Sequence, residues 1–152
     1  MNRDLITIHE TFSPEQTREL GRSLGLAALP GDVYCLDGEL GTGKTVLAQG
    51  FAEGLGLREV VNSPTFTIIQ TYESGRLPFY HMDVYRLSDG DELLAIGCEE
   101  YFYGDGVCLV EWACLVEEVM PEDAIHLQVE KVPEKGTEYR RITITRPARD
   151  KR

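Results

Sequence analysis

The sequence contains no apolar run of about 18 residues, so a transmembrane helix is not expected. Its first residues include acidic side chains and no apolar segment, which argues against a secretory signal peptide. No two of the four cysteines form a Cys-x-x-Cys pair, and zinc-ligand spacing is missing. We therefore predict a cytoplasmic protein in which Cys35, Cys98, Cys108 and Cys114 are reduced core residues.

Basic residues are scarce, with 15 Lys and Arg against 26 Asp and Glu, and the formal net charge is −11 at pH 7. Nucleic-acid affinity comes largely from cations that neutralise phosphates, so strong binding to a nucleic acid is not expected. The basic residues within 140–152 are interpreted as a solvated end of the chain rather than as a binding patch. A function that involves nucleic acid would therefore depend on other proteins.

Repeats, linkers and low-complexity segments are also lacking, so a single domain over residues 1–152 is predicted, with 145–152 as a loose tail. Helical spacing of apolar residues, with Ser13 as an N-cap in the first case, predicts helices in SPEQTRELGRSLGLAAL, TVLAQGFAEGLGL and DELLAIGCEEYF. Strands are predicted in LITIHE, DVYCLDG, TFTIIQTYE, RLPFYHMDVYRL, GVCLVEW, IHLQVEK and RRITITR. This mixture predicts an α/β fold, a mixed sheet with helices on both faces.

A glycine-rich segment, GELGTGKT, joins a predicted strand to a predicted helix. Gly38, Gly43, Lys44 and Thr45 match the pattern G-x-x-x-x-G-K-[ST]. Glycine permits backbone conformations that turn N–H groups toward an anion, and the following helix N-terminus adds donors and partial positive charge. We predict a P-loop NTPase-type domain in which Lys44 contacts the terminal phosphates and Thr45 offers its hydroxyl to Mg²⁺.

Two acidic residues follow apolar, strand-like segments. Glu111 ends the run VCLV and has the arrangement of a Walker B acid, and Asp83 lies in HMDVYRL. An open α/β sheet binds ligands at the carboxyl ends of its strands, which makes both residues candidates for Mg²⁺ coordination or for orienting water. Without a phosphate loop, Glu111 could equally be an acid without a role, and Asp83 a solvated residue of an edge strand.

Three further features allow both a functional and a structural interpretation. The hydroxyls of VNSPTFTI could contact a γ-phosphate or its metal, or could only form a turn that enters a strand. His81 is interpreted as a core or edge histidine rather than as a base. Trp112 could pack near the nucleotide, but core filling is the interpretation that its spacing favours.

Taken together, the blocks GELGTGKT, NSPTFTI, YHMDVYRL, DELLAIG, EYF and LVEW resemble those of the TsaE family, in the same order. The resemblance extends from about Phe12 to the strand RRITITR. It implies a small P-loop fold and a slow ATPase that uses ATP and Mg²⁺. It also implies a role beside the partner subunits TsaD and TsaB, which transfer a threonylcarbamoyl group to adenosine 37 of tRNA, with the transfer chemistry belonging to TsaD.

The resemblance also implies site residues by position. The catalytic set would be Lys44, Asp83 and Glu111, and Mg²⁺ would be held by Thr45 and Glu111. Ser63, Pro64 and Thr65 match a switch-like loop of the family. The nucleotide would be bordered by Glu39, Leu40, Gly41, Thr42, Gly43, Lys44, Thr45, Ser13, Thr17 and Arg140.

Two other functions are compatible with a phosphate loop. A small-molecule kinase would need an arginine-rich lid, and Arg86 is the only arginine between Asp83 and Glu111. A nucleotide-dependent switch without useful turnover would need no lid, although a GTPase of this kind would need a guanine-reading N-K-x-D motif, which is missing. The role of Asp83, between water positioning and metal support, stays open.

Overall fold

The computed structural model describes residues 4–39, 41–62 and 68–148. Leu40 and the predicted switch-like residues Ser63, Pro64 and Thr65 lie outside the described residues. The described strands are β1 (Leu5–Thr11), β2 (Val33–Asp37), β3 (Ile69–Tyr72), β4 (Phe79–Asp83), β5 (Val107–Glu111), β6 (Ile125–Glu130) and β7 (Arg140–Arg146). The described helices are α1 (Pro14–Ala27), α2 (Lys44–Gly54), α3 (Gly90–Ile96) and α4 (Cys98–Phe102), with 3₁₀ segments at Ala113–Val119 and Pro133–Lys135.

The strands form one mixed sheet in the order β1-β7-β6-β2-β5-β4-β3. Strand β2 runs parallel to β5 and β6, and β4 runs parallel to β5. The outer pairs are antiparallel, including the predicted β3–β4 hairpin. Since β2, β4 and β5 all run the same way, their carboxyl ends meet at one edge of the sheet, where an α/β sheet binds its ligands.

A hydrophobic core fills each face of the sheet. On one face, Leu47 and Phe51 of α2 pack with Tyr34 and Leu109 of the sheet. On the other face, α3, α4 and the first 3₁₀ segment cover alternate residues of β2, β4 and β5. Strand residues therefore point alternately into the two cores, and the predicted fold class, with helices on both faces, is confirmed.

Helices α1 and α2 approach each other through glycines spaced four residues apart in each helix. A Cβ atom added at Gly25 would lie 2.1 Å from the carbonyl oxygen of Phe51, and one added at Gly50 would lie 2.0 Å from that of Arg18. These distances leave no room for a side chain. The close contact fixes α1 against the helix that begins at Lys44.

Several local predictions are confirmed and others are wrong. The Ser13 side chain caps α1 by accepting a hydrogen bond from the Gln16 N–H at 3.2 Å, as predicted. The helix predicted over DELLAIGCEEYF is broken at Gly97, whose φ of 92° cannot continue a helix.

Strand β7 runs to Arg146, so the first residues of the predicted loose tail belong to the sheet. Cys114 is exposed, because it lies in the 3₁₀ segment beyond β5 and not in the core.

No helix in the described ranges combines the length and the apolar character needed to cross a membrane.

Candidate phosphate-binding site

A cavity of about 510 Å³ opens at the carboxyl edge of the central strands, beside the phosphate loop, residues 38–45. It collects residues that are far apart in the sequence. The predicted site residues that line it are Thr17, Gly41, Thr42, Gly43, Lys44, Thr45, Asp83, Glu111 and Arg140. The structure therefore brings most of the predicted site to one place.

Two predicted residues have a different position. Ser13 is used as the N-cap of α1, and its neighbour Pro14 lines the cavity in its place. Glu39 is exposed and is absent from the lining. Thr17 is buried, and its hydroxyl lies 2.7 Å from the Thr11 hydroxyl, so it joins α1 to β1.

The phosphate loop turns through left-handed backbone conformations before the helix begins. Gly43, the residue before α2, has a φ of 97°, a value that side chains disfavour. The loop is closed by the Thr42 hydroxyl, which donates to the Glu39 carbonyl at 2.8 Å. The N-terminus of α2, with its N–H groups and partial positive charge, therefore faces the cavity behind Gly43.

Lys44 is the most unusual residue of the cavity. Its side chain is buried, and Nζ has no hydrogen-bond partner among the described residues. The ammonium lies 3.5 Å from the centroid of the Trp112 ring. Burial lowers the pKa of Lys44, and the negative charges of Glu111 and Asp83 act in the opposite direction. A buried ammonium without an acceptor fits an anionic ligand such as a phosphate.

Asp83 and Glu111 are register partners at the ends of the parallel strands β4 and β5. Glu111 is only 3% exposed. Burial raises the pKa of Asp83; the Tyr85 N–H, 3.0 Å away, lowers it in part, and the nearby Glu111 raises it further. Two carboxylates thus stand side by side within the electrostatic reach of Lys44.

The donor set also fits Mg²⁺ brought in by a nucleotide. Within the described ranges, no group of three or more His, Cys, Asp or Glu side chains is arranged to hold a metal ion without other ligands. Mg²⁺ is usually bound through one or two carboxylates together with phosphate oxygens and waters. Thr45 and Glu111, both in the cavity wall, supply oxygen donors suited to that arrangement.

Arg140 reaches the phosphate loop from β7. Its Nε donates to the Thr42 carbonyl at 2.8 Å, and Nη1 donates to the carbonyls of Thr137 and Tyr139. The guanidinium therefore ties the loop to a strand from the other end of the sequence. It also lines the cavity, and its described hydrogen bonds go to backbone oxygens.

Sequence reasoning underrated two residues. Trp112, interpreted as core filling, is half-buried, lines the cavity and has a φ of 63°, which is unusual for a non-glycine residue. His81 is buried as expected of a core histidine, but its Nε2 lies 2.6 Å from Oε2 of Glu111. The sequence could have indicated a site role for His81 through its spacing from Asp83. The two residues are two positions apart, and a strand places such residues on the same face.

A family model described as threonylcarbamoyl adenosine biosynthesis protein TsaE matches residues 11–142. The chain belongs to the TsaE family. Among its relatives is a Bacillus subtilis protein named tRNA threonylcarbamoyladenosine biosynthesis protein TsaE, 50% identical over 135 residues, or 89% of this chain and 82% of that protein. A Treponema pallidum protein of the same name is 41% identical over 77% of this chain and 86% of its own length.

The fold is shared with a solved structure as well. A crystal structure of Bacillus subtilis YdiB superposes with a TM-score of 0.77 and 42% sequence identity, covering 96% of this chain and 87% of that one. The resemblance to the TsaE family and the predicted P-loop NTPase-type fold are thereby confirmed.

Proposed function

We propose that this protein is a P-loop ATPase that binds and slowly hydrolyses Mg-ATP to support threonylcarbamoyl transfer to adenosine 37 of tRNA by partner proteins. The observation that carries the proposal is the buried Lys44 ammonium, which faces a cavity at a helix N-terminus without a hydrogen-bond acceptor among the described residues. Family membership supports the pathway, since the relatives carry the name of tRNA threonylcarbamoyladenosine biosynthesis.

Each part of the cavity has a role in this proposal. The N–H groups of the phosphate loop and the Lys44 ammonium bind the terminal phosphates. Thr45 and Glu111 hold Mg²⁺, which, when bound, neutralises charge on the phosphate oxygens. Arg140 keeps the loop in its binding conformation through the Thr42 carbonyl.

Asp83 stands beside Glu111 and can either orient the attacking water or support the metal. The variant Asp83→Asn separates these roles. If Asp83 orients water, the variant keeps Mg²⁺-dependent ATP binding and loses hydrolysis. If Asp83 supports the metal, the Mg²⁺ dependence of binding weakens as well.

The partners are proposed to be the TsaD and TsaB subunits of the transfer complex. A net charge of −11 disfavours direct binding to tRNA, so the protein would act through contacts with these proteins. The proposed location is the cytoplasm. Filter binding of labelled tRNA by the isolated protein at physiological salt tests this directly. Tight binding without the partner subunits would contradict the proposed division of labour.

The central test uses Lys44→Ala, with Lys135→Ala as a matched control because Lys135 is exposed and pairs with Glu10. We expect Lys44→Ala to weaken ATP binding by about tenfold to a hundredfold, since a lost charge-assisted bond to phosphate costs about 1.5–3 kcal/mol. Lys135→Ala should bind and hydrolyse ATP as the parent does. Reconstitution with the two partner subunits and ATP should give multiple turnovers of tRNA modification with the parent, and not with Lys44→Ala.

A further inference from the structure

His81 lies on β4, two residues before Asp83. Its side chain is buried, and so is the side chain of Glu111, which it contacts. The Nε2 atom lies 2.6 Å from Oε2 of Glu111, and the two side chains are 1% and 4% exposed. The imidazole also stacks on Phe79, with 5.8 Å between ring centroids and 18° between planes. The ring is therefore held by packing on one side and by a short polar contact on the other.

The surroundings of the ring indicate which nitrogen carries the proton. The other nitrogen, Nδ1, is buried and has no hydrogen-bond partner within the described part of the chain. A proton on Nδ1 would leave a buried N–H unpaired and would place the Nε2 lone pair against a carboxylate oxygen. A proton on Nε2 instead gives a hydrogen bond from His81 to Glu111.

This bond restricts the acid that the proposed function assigns to Mg²⁺. A glutamate side chain has several rotatable bonds, and ordering it costs conformational entropy. A hydrogen bond from a packed ring fixes the position of one carboxylate oxygen and the plane of the group before any ligand arrives. Residues that orient metal ligands in this way typically change metal affinity by about 10–100-fold when they are replaced.

We propose that His81 is a positioning residue, which holds the Glu111 carboxylate in the orientation that receives the Mg²⁺ of Mg-ATP. The inference rests on the proposed function, because it concerns the same site. His81 acts through Glu111 and need not contact the nucleotide itself.

The test compares two replacements of His81. Phe keeps a ring that can stack on Phe79 but has no donor, and Gln keeps a donor at a similar reach. His126→Gln serves as the matched control, because His126 is half-buried and lies away from the cavity, beside Glu117. The dissociation constant of a non-hydrolysable ATP analogue is measured with Mg²⁺ and again with a chelator that removes it.

With Mg²⁺, we expect His81→Phe to weaken binding by about tenfold or more, while binding in chelator stays close to that of the parent. His81→Gln should recover most of the loss, and His126→Gln should match the parent in both conditions. An equal loss with and without Mg²⁺ would indicate a purely structural role and would overturn the inference, as would no loss in either condition.

A second measurement does not depend on nucleotide or on a variant's folding. Long-range ¹H–¹⁵N NMR spectra of the ¹⁵N-histidine-labelled parent report which ring nitrogen of His81 is protonated. We expect a proton on Nε2, and an Nε2 without a proton would overturn the inference. If the parent itself shows no Mg²⁺-dependent binding, the proposed function fails and the inference fails with it, whereas a normal parent with an unaffected His81→Phe overturns the inference alone.

Discussion

At the scale of single residues, the buried ammonium of Lys44 is the charge in the cavity that most needs compensation by neighbouring groups. A buried ammonium loses its hydration, and this loss is destabilising unless other groups replace the water. Here the replacements are the Trp112 ring at 3.5 Å and the negative charges of Glu111, Asp83 and Asp37. A phosphate bound as proposed would complete this compensation, so we expect ATP to raise the stability of the fold.

The contact between Lys44 and Trp112 should be visible in fluorescence, since Trp112 is the single tryptophan of the chain. If a nucleotide phosphate binds Lys44 as proposed, the ammonium would exchange its cation–π contact, worth about 0.5–2 kcal/mol, for a charged hydrogen bond. We expect tryptophan emission to change saturably as ATP is titrated. Emission of Lys44→Ala should not respond to ATP, and a parent that binds ATP by dialysis without any change in emission would contradict this expectation.

Asp83 should make stability depend on pH. Its pKa is raised in the folded protein, chiefly by burial, so at this position the folded state binds protons more readily than the unfolded chain. The free energy of unfolding should therefore fall as pH rises from about 4, the ordinary aspartate pKa, through the raised value. Asp83→Asn removes this pH-dependent loss of stability. Urea unfolding should show that the free energy of unfolding of the variant exceeds that of the parent by more at high pH than at low pH.

Asp105→Asn is the control for this experiment, because Asp105 is exposed. Its replacement should change the free energy of unfolding by about 0.5 kcal/mol or less, as is usual for an exposed position. An Asp83→Asn variant that is less stable than the parent at alkaline pH would show that the carboxylate contributes more through its attraction to Lys44 than it loses through burial.

At the scale of elements, the glycine contact between α1 and α2 sets the position of the phosphate loop. Glycine inside a helix normally lowers stability by about 1 kcal/mol relative to alanine, so a sequence that keeps four of them has a structural reason. The reason is space, because Cβ atoms at Gly21, Gly25, Gly50 and Gly54 would lie 2.0–2.3 Å from carbonyl oxygens of the facing helix. The site depends on this contact, since α2 begins at Lys44 and α1 carries Thr17.

We expect Gly25→Ala to destabilise the fold by about 1–3 kcal/mol, as overpacked cores do, despite the better helix propensity of alanine. Ser23→Ala, on the exposed side of the same helix, should change stability by about 0.5 kcal/mol or less. Urea unfolding of both variants checks the difference. Gly25→Ala with parent-like or higher stability would mean that the helices separate more easily than their packing indicates.

The local patterns identified most elements, and their failures have physical causes. Ser13 and the alternating strands follow from short-range rules, which act within a few residues. The break at Gly97 was hidden because glycine is also tolerated inside helices, and only its φ of 92° separates α3 from α4. The left-handed Trp112 and the 3₁₀ segment after it depend on how β5 ends against its neighbours, which no local pattern records.

At the scale of the whole molecule, the sheet order accounts for what the sequence could and could not predict about the site. The phosphate loop and its acids follow from motifs that are short and contiguous. The contact of Arg140 with the loop follows from pairing β7 against β6, which is itself paired with β2. Such long-range pairing is a property of the complete fold, so Arg140 could be nominated only by resemblance.

The arrangement of the cysteines gives a prediction for the native molecule. Cys35, Cys98 and Cys108 are buried, and burial raises the pKa of Cys108 to about 12, so these thiols should be inert. Cys114 is exposed, so it should be the thiol that reacts, although partial burial and the neighbouring Asp37 raise its pKa and slow the reaction. Titration with a thiol reagent should modify one residue in the native protein and all four after unfolding; Cys114→Ser should remove the native reaction, and rapid modification of several native thiols would contradict the described core.

The pairing of β1 with β7 has a consequence for synthesis on the ribosome. Strand β1 is synthesised before its described partner, β7, which contains residues 140–146. It therefore cannot pair until more than a hundred further residues have been translated. The same late segment brings Arg140 to the Thr42 carbonyl. A nascent chain that already contains the Gly-Lys-Thr sequence therefore lacks the Arg140 contact with its phosphate loop. If the loop binds a nucleotide as proposed, this binding should become possible only after β7 has been translated and has joined the sheet.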